Sequence, residues 1–321
     1  MKPFWAGHPE LSRELDEVKQ TILSRASTDD VEVLEAIRQM LASGGKMLRP
    51  AFVLLSSRFG SPDRNRILNV SAAVEMLHMA TLVHDDIIDG ASLRRGVAAL
   101  NALRGPRIAV LVGDWLFAAS LSLIADFTGT ENARSLSQIV ARICGSEISQ
   151  SADRFAVHAS VRKYLRRIAG KTAALFALSF YVGAVESGCP ADLSSILRRL
   201  GYCIGMGFQI IDDILDFSRS GADTGKPTGS DLSQGIFTLP VILALKKDDG
   251  NLAKALSRSP FSRRAVSRMT GIIMAKGGID GARSMAEVYT RRAINEIERL
   301  PPVPARETLR AVTEKLLDRT Y

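Results

Sequence analysis

Two stretches of this sequence carry the same arrangement of acids. One reads Leu82-Val83-His84-Asp85-Asp86-Ile87-Ile88-Asp89, the other Gln209-Ile210-Ile211-Asp212-Asp213-Ile214-Leu215-Asp216. On a helix, residues four apart stack on one face, so Asp85 stands over Asp89 and Asp212 over Asp216. Two carboxylates about 6 Å apart repel by roughly 3 kcal/mol at an effective dielectric near 20. Among Ile, Leu and Val, such a pair demands a proton or a cation. One motif of this kind is as often a solvated helix face. A second copy, again within an apolar helix, turns the balance toward cation binding. Carboxylate oxygens without Cys or His partners suit a hard ion, and Mg²⁺ fits best because it takes one or two carboxylates plus phosphate oxygens and water. His84 adjoins the first cluster but points to another face, so it reads as a packing or supporting residue. A di-iron centre needs Glu-x-x-His on two helices, and the sequence has that spacing only once, at Glu75–His78.

Basic residues stand where a magnesium-bound diphosphate would need them. Gly44-Gly45-Lys46-Met47-Leu48-Arg49-Pro50 sets Lys46 and Arg49 three apart after a glycine turn. Arg94-Arg95-Gly96 follows Asp89 by one short loop. Gly170-Lys171-Thr172 interrupts a helical run, and Gly225-Lys226-Pro227-Thr228-Gly229 follows the second acid cluster. Arginine matches phosphate oxygens in two-point fashion, and lysine adds a point charge. None of these is a nucleotide-binding P-loop, because the GxxxxGK[ST] spacing is missing.

The elements that must hold these residues read as helices. Leu34, Ile37 and Leu41 recur at helical intervals after a Ser27-Thr28-Asp29-Asp30 cap. Similar periodicity runs through Asn69–Asp89, Ala109–Asp126, Ala133–Ser149, Val161–Val185, Leu193–Phe217, Leu239–Lys247 and Thr308–Leu317. Gly/Pro/Ser/Asp clusters separate these runs, and no alternating strand pattern stands out. The expected fold is all-α, one domain over residues 1–321, a large bundle of roughly ten or more helices around a central cavity. A net charge of +8 favours anionic partners, but no zinc-finger or basic-zipper pattern points to nucleic acid. Three cysteines with no CxxC argue against a disulfide scaffold. The first ten residues turn charged too soon for a signal peptide, and the run Thr172–Val185 is too short to span a bilayer. These features predict a cytoplasmic protein without an integral membrane segment.

Taken in order, GGKMLRP, LVHDDIID, SLRRG, VGDWLF, GKT, GFQIIDDILDF and GKPTGSDL resemble the trans-isoprenyl diphosphate synthase, or polyprenyl synthetase, family. The likeness runs from about Leu34 to the C-terminus. Gly44–Leu55, Tyr164–Thr172 and Gly225–Pro240 are most like the large catalytic subunit of its heptaprenyl branch. The resemblance implies Mg²⁺ as cofactor and two diphosphate substrates. Lys46, Arg49, His78 and Arg95 would hold isopentenyl diphosphate. Asp85, Asp86 and Asp89, with Asp212, Asp213 and Asp216, would hold Mg²⁺ on the allylic diphosphate, and Arg94, Lys171 and Lys226 would contact that diphosphate directly. Thr172 and Gln209 would line the reacting carbons. Read without the family, His78 is a core histidine. Gln209 stands three residues before Asp212, so its place on the metal-facing side follows from helix geometry alone.

The family's chain-length position precedes the first acid cluster by about one turn. Ala80 and Thr81 stand there, small where short-chain synthases often carry aromatics, with Leu77 as a deeper candidate. A long product, about C30–C40 by family likeness, is expected. The partner is expected to be a second copy or a small regulatory subunit. Two departures stand out: Gly235-Ile236-Phe237-Thr238 lacks the family's usual lysine, and Val97-Ala98-Ala99 replaces a Lys-Pro-Thr. The alternatives are a shorter-chain farnesyl or geranylgeranyl synthase and a terpene cyclase. The complete second acid motif and second basic set weigh against the cyclase.

Overall fold

The computed structural model describes residues 4–25, 31–94, 96–158, 160–218, 229–258 and 260–317. It is an all-α protein, as the periodicity predicts. In chain order the helices begin α1 (Pro9–Arg25), α2 (Val31–Ala42), α3 (Leu48–Ser57), α4 (Arg64–Ile88), α5 (Leu100–Phe127), α6 (Thr130–Ala152), α7 (Val161–Ile168), α8 (Ala174–Glu186) and α9 (Ala191–Ser218). Further helices follow at Ser230–Ser233, Leu239–Leu245, Asn251–Leu256, Arg263–Ala275, Gly278–Glu298 and Pro304–Leu317. One wide turn of i→i+5 spacing, Ala169–Ala173, joins α7 to α8. A two-residue hairpin that the sequence reading did not anticipate pairs Leu93 with Ala98 and Arg94 with Val97. The residues fall into two compact units, Met1–Leu136 with Leu178–Leu197, and Ser137–Ala177 with Arg198–Tyr321.

In the first unit, α4 is the central rod, packed by α1, α3 and α5. Asp63 caps it by accepting the Arg66 N–H at 2.7 Å. Val70, Met76, Leu77, Ala80 and Val83 are buried along it. α1 answers with a one-sided stripe of Leu11, Leu15, Val18 and Ile22. Phe52 of α3 stacks on Phe180 with centroids 4.6 Å apart.

In the second unit, Phe176 meets Phe208 at 5.5 Å, and the helix Leu239–Leu245 packs on Gly278–Glu298. Ser160 caps α7 by accepting the Lys163 N–H. The stretches Arg64–Ile88, Leu100–Phe127 and Val161–Glu186 are long and apolar enough to cross a bilayer by length and composition. Most of the first and the third is buried within the protein, whereas α5 keeps Leu103, Val110 and Leu111 exposed.

Candidate active site

α4 ends on the first acid triplet. Asp85 and Asp86 occupy its last turn, and Asp89 is the residue that closes it, its N–H donating to the Asp85 carbonyl at 2.8 Å. The second triplet likewise occupies the C-terminal turns of α9. Helix C-termini carry partial negative charge, so carboxylates placed there deepen a potential that only cations relieve.

Burial divides each triplet in the same way. Asp86 and Asp213, the middle members, are 5% and 4% exposed, whereas Asp89 and Asp212 are exposed and Asp85 and Asp216 half-buried. Asp86 meets Arg94 in a two-point pair, Nε to Oδ2 and Nη2 to Oδ1, both 2.6 Å. The hairpin therefore exists to return Arg94 onto the end of α4. Asn101 of α5 secures the same turn, donating to the carbonyls of Asp86 and Ala91.

Among the described residues, two neutral donors hold Asp213, and the Arg167 charge nearby favours its ionised form. Tyr164 Oη donates to its Oδ2 at 2.6 Å, and Gln209 Nε2 donates to its Oδ1 at 2.8 Å. Gln209 Oε1 accepts in turn from Thr172 Oγ1 at 2.7 Å. Burial pushes the Asp213 carboxyl up to about 7, with the two hydrogen bonds opposing. Tyr164, fully enclosed beside that carboxylate, is raised well above its usual range and stays a donor. Asp216 serves the returning chain: its carboxylate accepts the N–H groups of Ser230 and Asp231 at 3.1 and 3.2 Å.

Among the basic residues, Arg49 Nη1 lies 2.9 Å from His78 Nε2. Guanidinium only donates, so Nε2 accepts and the ring proton belongs on Nδ1. His78 is thus no sealed core histidine. It lies seven residues before Asp85, within about 20° of the same face and about 10 Å along the axis. Lys46 is steadied by the N-terminal segment: Trp5 Nε1 donates to its carbonyl at 2.6 Å, and its ammonium lies 5.0 Å from the Phe4 ring centre. Lys171 Nζ pairs with Glu147 Oε1 at 2.6 Å. Gly170 permits this approach, since a Cβ there would collide with Ser146 Oγ. Arg95 and Lys226 lie outside the described residues.

His84 faces α5, as expected of a supporting residue, with Nε2 3.4 Å from Asp114 Oδ1 and packed on Gly113. Leu77 and Ala80 are buried, and Thr81 turns its hydroxyl back to the His78 carbonyl at 2.7 Å. Sequence reasoning assigned no role to Tyr164, Glu147 or Asn101. Each acts through a partner remote in sequence, which spacing along the chain does not reveal.

The donor set fits magnesium. Among the described residues no group of three His, Cys, Asp or Glu is placed to hold a metal unaided. The half-exposed and exposed carboxylates offer one or two hard oxygens at a helix end, which suits an ion completed by phosphate oxygens and water.

The description "Polyprenyl synthetase" belongs to the family model that matches residues 30–272. The chain is 37% identical over 311 residues to heptaprenyl diphosphate synthase component 2 of Bacillus subtilis (strain 168), covering 97% of this chain and 89% of that one. It is similar to the crystal structure of heptaprenyl diphosphate synthase from Staphylococcus aureus, with a TM-score of 0.93, 34% identity, and coverage of 97% and 99%. A polyprenyl synthase from Caulobacter crescentus CB15, complexed with calcium and isoprenyl diphosphate, superposes with a TM-score of 0.91 at 30% identity, covering 97% of this chain and 96% of that one.

Proposed function

The chain belongs to the polyprenyl synthetase family, and on that premise we propose that it is a trans-prenyltransferase, adding isopentenyl diphosphate units head-to-tail to an allylic diphosphate. The product is a long-chain all-trans polyprenyl diphosphate of about C30–C40, in keeping with the heptaprenyl relatives. The whole chain acts as one polyprenyl synthetase domain, since the family match crosses both compact units. The observation that carries this reading is that His78, in contact with Arg49 of α3, shares a face of α4 with the acids that end the helix.

Lys46, Arg49 and His78, with Arg95, bind the diphosphate of the five-carbon substrate. Asp85, Asp86, Asp89, Asp212, Asp213 and Asp216 are the magnesium-binding carboxylates, the middle members held in orientation by their protein partners. Magnesium, when bound, neutralises the charge gathering on the departing diphosphate. Arg94, Lys171 and Lys226 add positive charge to the same group. The allylic C–O bond breaks with its electron pair leaving on diphosphate. Thr172 and Gln209 present oxygen lone pairs toward the resulting carbocation. The double bond of isopentenyl diphosphate attacks, and the departed diphosphate takes the proton then lost. Water must be kept from the cation, which it would trap as an alcohol.

Ala80, Thr81 and Leu77 set product length. The partner is a second copy or a small regulatory subunit, in keeping with relatives named component 2. The enzyme works in the cytoplasm and passes a nearly insoluble product to a membrane surface. The test is purified protein with Mg²⁺, farnesyl diphosphate and labelled isopentenyl diphosphate, alone and with a small subunit, followed by product sizing. Products of C30–C40 are expected. A C15 or C20 limit under every condition refutes the long-chain reading, and a cyclic hydrocarbon refutes the transferase.

A further inference from the structure

Tyr164 stands outside the roles assigned above, yet its placement is among the most constrained in the second unit. It is 2% exposed, its N–H is bonded to the Ser160 carbonyl at 2.9 Å, and the Arg167 guanidinium lies 5.6 Å from its ring centre. Its one polar atom is spent on Asp213.

The wide turn Ala169–Ala173 explains how it arrives there. Tyr164 and Thr172 are eight residues apart. On an uninterrupted α-helix, eight steps miss two full turns by about 80°. An i→i+5 turn absorbs about one residue, which restores the two side chains to one face. Tyr164 then reaches Asp213 while Thr172 reaches Gln209, and those two are themselves one turn apart on α9. Two turns of one helical segment thus grip one turn of another at both ends.

An ionised carboxylate has about four lone-pair sites. Gln209 alone would leave Asp213 able to swing about its terminal torsion, which is intrinsically broad. A second donor on the other oxygen fixes the plane. We propose that Tyr164 is a positioning residue for magnesium binding: its hydroxyl, opposite the Gln209 amide, locks the Asp213 carboxylate so that each oxygen keeps one lone pair in a fixed direction for the ion. The inference rests on the reading of Asp213 as a magnesium ligand.

The test measures Mg²⁺-dependent binding of inorganic pyrophosphate by calorimetry. It compares wild type, Tyr164→Phe, Asp213→Asn and the double variant, each first checked by circular dichroism. Tyr164→Phe keeps the ring and its packing, and it should weaken binding roughly tenfold or more. The double variant should bind no worse than Asp213→Asn alone, because the tyrosine acts through that carboxylate. The KM for isopentenyl diphosphate should stay within about twofold, which a general structural defect would not spare. Unchanged binding in Tyr164→Phe, or losses that add in the double variant, overturns the proposal. Wild-type protein that binds no magnesium pyrophosphate overturns the metal-site reading, and this proposal with it.

Discussion

Replacing Asp213 by asparagine should make the metal-free protein more stable at pH 8 while nearly abolishing turnover. The carboxyl is 4% exposed, and burial lifts it from 3.8 to about 7 against the pull of Tyr164 and Gln209. Between those values the folded protein keeps a proton that the unfolded chain has released. The stabilising contribution is whole below about pH 3.8, declines as pH rises toward 7, and is gone above it. About three pKa units correspond to ~4 kcal/mol as an upper bound. Asparagine has the same shape and no charge. Its carbonyl can take the Gln209 donor, and its amide can donate to Tyr164, whose hydroxyl accepts as well as donates. The expected gain is ~2–4 kcal/mol at pH 8, a rise in Tm of several degrees, shrinking almost to nothing at pH 4. Scanning calorimetry in chelator at both pH values measures it. Added Mg²⁺ and pyrophosphate should raise the Tm of wild type but not of the variant. An Asp213→Asn protein that melts below wild type by the same margin at both pH values would refute the reasoning, because the carboxylate would then be a structural asset rather than a burden carried for catalysis.

Asp85→Ala should lower kcat by about a thousandfold with an unchanged circular dichroism spectrum, since the residue is half-exposed at the end of α4. Ala80→Phe should shorten the product by two or more isoprene units in a chromatographic assay, and an unchanged length would remove Ala80 from the chain-length argument. Gly170→Ala should cost ~1–3 kcal/mol by driving a methyl into Ser146 Oγ, and Ser146→Gly in the same chain should restore most of it in denaturant titrations.

The helical architecture was legible wherever apolar residues recur densely, and α4, α7 with α8, and α9 fall within a few residues of their predicted bounds. Helices with sparser stripes were harder to read. α1 buries four apolar residues among polar ones, and Arg263–Ala275 buries three, so the surrounding charge hides the period. The hairpin at Leu93–Ala98 has two residues per strand, below what alternation can reveal. The Arg49–His78 contact needs a tertiary fold, and without the family likeness His78 reads as core.

The letters Asp-Asp-x-x-Asp repeat, but the chemistry at the two sites does not. The spacing predicts which carboxylates share a helix face; it is silent on what each middle residue meets. Asp86 finds a guanidinium eight residues along the chain, within reach because a short hairpin folds back. Asp213 finds a phenol 49 residues away, delivered by a wide turn that no periodicity announces. A full positive charge and a neutral hydroxyl are not equivalent neighbours for a buried carboxylate. The first arrangement compensates its charge within the protein. The second leaves a carboxylate whose ionisation burial opposes, and under the proposed function it is there that a divalent cation would relieve the most.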